Sequence, residues 1–192
     1  SAFALRSKEH DYCFYSMEAK AKKSLGQNFL KDPEVLRSIV DIAEIHPGDR
    51  VFEIGPGTGA LTEVLSSAGA HVLAVELDRE LVSRLSEHFI ASDNVSILEG
   101  NILDMHLEEM LTHAGYEHQQ YKIVANIPYY ITAPIIRTLL SLRSQASSIT
   151  LMVQDAVADR LTAAPGAQSL LSVMAQYYAD VEKKLFVSRQ AF

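Results

Sequence analysis

The chain has 192 residues, 48% of them hydrophobic and 21% charged, with a formal net charge of -7 at neutral pH. That length supports one well-cored domain, and the acidic balance does not mark the whole chain as a nucleic-acid binder. A single cysteine, Cys13, excludes an internal disulfide and a multi-cysteine metal site. No apolar run approaches the roughly 20 residues that a membrane-spanning helix needs.

Residues 1–21 read as an N-terminal extension. They lack the long apolar core and small-residue cleavage site of a secretory signal. Lys20, Lys22, Lys23 and Lys31 then make a local basic cluster on an otherwise acidic chain. Asp32-Pro33, followed by Val35, Leu36, Ile39, Val40 and Ile42, predicts a capped amphipathic helix, ended by Pro47-Gly48-Asp49. Val51–Ile54 is a short apolar strand running into glycines. Leu61, Val64 and Leu65 give the next helix its apolar stripe, and Gly69 closes it.

The alternation continues. His71–Glu76 is a second, nearly continuous apolar strand, as a buried parallel strand should be. Asp78 caps a helix bearing Leu81, Val82, Leu85 and Phe89. Val95–Leu98, Tyr121–Ala125 and Ile149–Val153 are three further strands, separated by helices at Leu107–Leu111 and Thr132–Leu142. Asp155–Leu161 is another helix, and Ala163-Ala164-Pro165-Gly166 breaks the pattern. Leu170–Tyr178 and Val181–Val187 then read as two strands of a closing antiparallel hairpin. This order predicts an α/β, Rossmann-like fold: a mostly parallel sheet, helices on both faces, and a ligand at the carboxyl ends of the strands.

Two motifs fall at such strand ends. Glu53-Ile54-Gly55-Pro56-Gly57-Thr58-Gly59 is a glycine-rich turn that lets a nucleotide-like ligand approach the backbone. Its spacing differs from the dinucleotide fingerprint G-x-G-x-x-G. Glu76, about 20 residues on, ends the next strand, where a carboxylate accepts from both ribose hydroxyls and repels a 2′-phosphate. Glu53 is expected to face a cationic ligand end, which favours S-adenosylmethionine over a pyrophosphate cofactor. Asn101, after the third strand, is expected at the adenine edge.

The second motif is Asn126-Ile127-Pro128-Tyr129. The Asn126 side-chain carbonyl and the Ile127 backbone carbonyl suit the two hydrogens of an exocyclic amine. Pro128 fixes the bend, and Tyr129 offers a stacking face. Together the motifs read as a methyl-donor site facing a methyl-acceptor site, of class I methyltransferase type.

The chain resembles the ribosomal RNA adenine N6,N6-dimethyltransferases, whose bacterial member modifies 16S ribosomal RNA. The resemblance runs from about Lys22 to Phe192. It is carried most specifically by Lys23-Ser24-Leu25-Gly26-Gln27-Asn28-Phe29-Leu30, with Leu170-Leu171-Ser172-Val173-Met174-Ala175-Gln176-Tyr177-Tyr178 matching a later segment. It implies that residues 22–192 are the methyltransferase domain, without the small helical C-terminal domain of the family. Asn28 and Leu30, with Gln27, would lie at the methionyl part of the donor beside Gly55 and Gly57. Glu76 and Leu77 would flank the ribose, and Asn101 would meet the adenine. Asn126 would serve both donor and target amine, with Tyr129 and Phe192 packing on the target base.

The family usually has aspartate where Asn101 stands, and Gln154-Asp155-Ala156 replaces a usual glutamine-lysine-glutamate. The loop from Pro165 to Ser169 is short and lacks the family's tyrosine-glycine pair. The resemblance further implies a cytoplasmic monomer that uses no metal and acts on small-subunit ribosomal RNA or the pre-30S particle. The large-subunit dimethyltransferases of macrolide resistance and a non-catalytic RNA-binding assembly factor on the same fold are the alternatives. A NAD-dependent oxidoreductase is disfavoured by the glycine spacing.

Overall fold

Two strands that are apolar along nearly their whole length form the centre of the molecule. β1 (Arg50–Ile54) and β2 (His71–Glu76) are buried at every position but the first. Such burial requires cover on both faces, the usual condition of a parallel strand. β4 (Lys122–Asn126) is buried at its three middle residues, whereas β3 (Val95–Glu99) and β5 (Ser148–Met152) have no fully buried residue. The computed structural model, which describes residues 29–118 and 120–192, orders them β3-β2-β1-β4-β5 with every pair parallel. The strand order reverses between β1 and β4, so the crevice there is the natural ligand site.

Alternation along β1 sends neighbouring side chains to opposite faces. Phe52 and Ile54 join Leu73, Val75 and Ile123 in a core covered by Leu107, Leu111, Ile135 and Leu139. These last four belong to α4 (Leu107–His113) and α5 (Thr132–Ser141). Val51, Val72 and Val124 face the other way, against Leu36 and Ile39 of α1 (Pro33–Ile42) and Leu61, Val64 and Leu65 of α2 (Ala60–Ser67). Asp32 caps α1 by accepting from the Glu34 and Val35 amides, and Asp78 caps α3 (Arg79–His88) by accepting from the Glu80 amide. Among the described residues, no helix is long and apolar enough to cross a membrane.

Two expectations need correction. α1 stops at Ile42, with Ala43 as its C-cap and Glu44 at φ 50°, ahead of the Pro47-Gly48 turn. The larger correction is at the C-terminal side. Leu170–Tyr178 is a helix, α7, that packs beside α5 and α6 (Asp155–Leu161) through Leu171 and Ala175. Ser169 and Ser172 cap it reciprocally: each side chain bonds the other residue's backbone amide. Val181–Val187 has no regular structure. The antiparallel hairpin is therefore not formed, and the sheet is entirely parallel among the described residues.

Candidate active site

A cleft opens at the carboxyl ends of β1, β2 and β4. Its lining includes Phe29, Leu30, Glu53, Gly55, Gly57, Glu76, Leu77, Asn101, Asn126, Ile127 and Pro128. The two sequence motifs thus share one crevice. Strand register brings them there: Ile54 pairs with Val75 on one side and with Ala125 on the other.

The glycines of the first motif have different jobs. The Gly55 amide donates to the Val75 carbonyl at 2.9 Å, carrying the β1–β2 ladder one residue past the strand. A Cβ on Gly55 would meet no atom within 4 Å, so the space that a side chain would fill is open to the cleft. On Gly57 it would stand 3.0 Å from Cδ1 of Phe29, and on Gly59 only 2.7 Å from Cδ2 of Leu85. Gly59 does not line the cleft. Open space is left at Gly55, whereas Gly59 serves the packing of α2 on α3.

Glu76 is pinned by both oxygens. Oε2 accepts from the Gly57 amide at 3.1 Å and Oε1 from the Asp78 amide at 2.9 Å. Burial pushes its carboxyl above the usual range, opposed by the backbone bonds from Asp78, Gly57 and Leu77. A carboxylate oxygen accepts more than one bond, so acceptor capacity toward the cleft remains. Leu77 lies beside it at the lip, 45% exposed.

Glu53 also lines the cleft. It is fully buried, and its Oε2 accepts from the Thr62 hydroxyl at 2.7 Å. Burial, the largest influence, pushes it up to about 8; the Thr62 bond opposes this and the charge of Glu76 adds to it. This upward shift favours the protonated form of Glu53. A positive charge placed in the cleft would favour its ionisation.

Asn101 lines the cleft after β3, but its amide is already engaged in its own turn. Oδ1 accepts from the Leu103 amide at 3.2 Å, and Nδ2 donates to Asp104 Oδ2 at 2.7 Å. Asn126 ends β4 beside Met152 of β5. Ile127 is buried in the core, and its amide donates to the Met152 carbonyl at 3.2 Å, which fixes the backbone that follows. Pro128 (φ -57°, ψ 133°) leads into a one-turn 3-10 helix at Tyr129–Ile131. Its carbonyl accepts from the Ile131 amide at 3.2 Å and from the Thr132 hydroxyl at 3.3 Å.

Not every expected residue gathers here. Leu30 is buried and lines the wall, but Gln27 and Asn28 lie outside the described residues, as does the side chain of Tyr129. Phe192 is half-buried against the α1–α2 layer and is not among the lining residues, because the preceding one-turn helix (Arg189–Ala191) tucks Ala191 into that core. Sequence reasoning missed Phe29, Thr62 and Tyr130. Tyr130 lines the cleft with 58% of its surface exposed, directly beside the tyrosine that was singled out. No cluster of three or more His, Cys, Asp or Glu among the described residues is placed to hold a metal ion.

The parallel sheet, its strand order and the cleft at the switch point define a Rossmann-like class I methyltransferase fold. Residues 18–192 match the family described as ribosomal RNA adenine dimethylase, and the chain belongs to that family. Ribosomal RNA small subunit methyltransferase A of Pediococcus pentosaceus is 44% identical over 177 residues, covering 88% of this chain and 60% of that protein. A dimethyladenosine transferase from Plasmodium falciparum matches with TM-score 0.65 and 28% identity, over 78% of this chain and 52% of that one. The 23S rRNA methyltransferase ErmE matches with TM-score 0.62 and 28% identity, over 78% and 57% respectively. The chain spans about three-fifths of the length of the relatives it matches.

Proposed function

We propose that this chain transfers methyl groups from S-adenosylmethionine to N6 of adenines in small-subunit ribosomal RNA, giving N6,N6-dimethyladenosine. The observation that carries the reading is the meeting of two strand ends: the Gly55 turn after β1 and Asn126-Ile127-Pro128 after its neighbour β4 line one cleft. The residues fit the donor. The open space over Gly55 admits a backbone-hugging ligand, and Glu76 supplies acceptors suited to ribose hydroxyls.

When bound, S-adenosylmethionine supplies an electrophilic methyl group on a sulfonium. The chain's part is positional and electrostatic. Adenine N6 is a poor nucleophile because its lone pair is delocalised into the ring. The Asn126 and Ile127 carbonyls would accept its hydrogens, favouring pyramidal nitrogen and stabilising the positive charge that develops there. Tyr130 offers an aromatic face at the mouth on which a base can stack. The identity with small-subunit methyltransferases supports small-subunit RNA over the large-subunit alternative. A monomer in the cytoplasm acting on the pre-30S particle completes the reading.

The test is mass spectrometry of nucleosides from undermethylated small subunits incubated with the protein and isotopically labelled donor. Labelled dimethyladenosine is expected. Stable RNA binding without label would instead make the chain an assembly factor on a methyltransferase fold.

A further inference from the structure

An amide whose two ends face different partners has a fixed polarity. The Leu103 backbone amide is only a donor, so the end of Asn101 that faces it is the oxygen. An ionised Asp104 is only an acceptor, so the end that faces it is the nitrogen. The two contacts agree, and a flipped amide would set N–H against N–H and oxygen against carboxylate. The turn that carries both residues is itself closed, with the Asp104 and Met105 amides donating to the Asn101 carbonyl at 2.9 and 3.1 Å. One N–H and one lone pair of the Asn101 side chain remain, and Asn101 lines the cleft between Gly100 and Ile102. Asp104 is exposed and does not line it.

We infer that Asp104 is a positioning residue that locks the Asn101 amide in one orientation, and that this lock makes the cleft select a 6-aminopurine over a 6-oxopurine. The inference rests on the donor reading above and deepens it. A 6-aminopurine presents an N–H donor at C6 beside a ring-nitrogen acceptor, and a 6-oxopurine reverses that order at C6 and N1. An amide free to turn over serves either pattern. A locked one, with C6 of the ring set against its oxygen, serves only the first.

Calorimetric titration of the protein with S-adenosylhomocysteine and with S-inosylhomocysteine tests this, on wild type, D104A and D104N. D104A removes the acceptor facing Nδ2, while D104N keeps a carbonyl that can take its place. Wild type is expected to prefer the adenosyl ligand by roughly tenfold or more, the equivalent of one well-made hydrogen bond. In D104A the Leu103 amide alone still orients the Asn101 oxygen, so the preference should fall severalfold rather than vanish, whereas D104N should retain it, with unchanged thermal unfolding of both. A preference that D104A leaves within about twofold of wild type, or equal weakening of both ligands, overturns the role of Asp104. Failure of wild type to bind S-adenosylhomocysteine overturns the donor reading, and this inference with it.

Discussion

The β1–β2 side of the cleft and its β4–β5 side are built differently. On the first, strands are buried to their ends and the polar groups at those ends are already bonded: Glu76 to the Gly57 and Asp78 amides, Glu53 to Thr62. On the second, β5 has no fully buried residue, Tyr130 stands 58% exposed at the mouth, and the covering cluster is small. The first side is preorganised for a small ligand of fixed shape. The second is the more open of the two.

Changes on the two sides should therefore fail in different ways. The largest effect is expected from Asn126→Ala. On the proposed reading, removing this acceptor for the target amine should slow methyl transfer by about 10²–10³-fold. Affinity for S-adenosylhomocysteine, measured by calorimetry, should stay near wild type. Comparable losses in both would place Asn126 on the donor side and erase the distinction.

Glu53 probes the preorganised side through pH. Its carboxyl is held at about 8 in the fold against an ordinary value of 4.5. The folded state therefore keeps a proton that the unfolded chain releases between those values. Stability from this group is complete below about 4.5 and is lost as pH rises toward 8, by at most about 1.4 kcal/mol per pH unit. Glu76, also raised by burial, adds to the same trend. Glu53→Gln keeps an acceptor for Thr62 but cannot ionise, so denaturant unfolding should show a flatter pH dependence across that window. An unchanged slope would mean that Glu53 titrates normally and that the floor of the cleft is wetter than its burial implies.

The same contrast explains what was legible in the sequence. β1, β2 and β4 announce themselves as apolar runs because both faces are covered, and Asp32 and Asp78 mark helix starts by local chemistry that needs no tertiary partner. Topology then carries strand-end residues into one cleft, which is why Gly55, Glu76, Asn101 and Asn126 all line it. Leu170–Tyr178 misled because both sides of that helix are apolar: Leu171 and Ala175 face inward while Leu170, Val173 and Tyr177 face out. Its cap, a serine pair rather than a serine and a glutamate, is a weak signal. Val181–Val187 has strand-like composition, but a strand exists only with a partner edge, and composition does not supply one. Thr62, Asp104 and Phe29 escaped because their roles arise from contacts between distant or merely adjacent turns, not from residue type.

Two glycines with similar backbones give the smallest and sharpest comparison. Gly59 (φ +84°) begins α2 on the buried side, and Gly166 (φ +94°) sits in the turn between α6 and α7. Alanine at either position pays the left-handed backbone penalty of about 1–2 kcal/mol. At Gly166 nothing lies within 4 Å of the new methyl, so that penalty is the whole effect. At Gly59 the methyl would stand 2.7 Å from Leu85 and 3.3 Å from Phe89, and Leu85 is fully buried, so it has little room to yield. Overpacking there should add about 1–3 kcal/mol. Chemical denaturation of Gly59→Ala and Gly166→Ala should therefore separate the two variants by that amount. Equal losses would mean that the α2–α3 contact relaxes as freely as a surface turn, and that the buried half of the molecule is no more rigid than the open one.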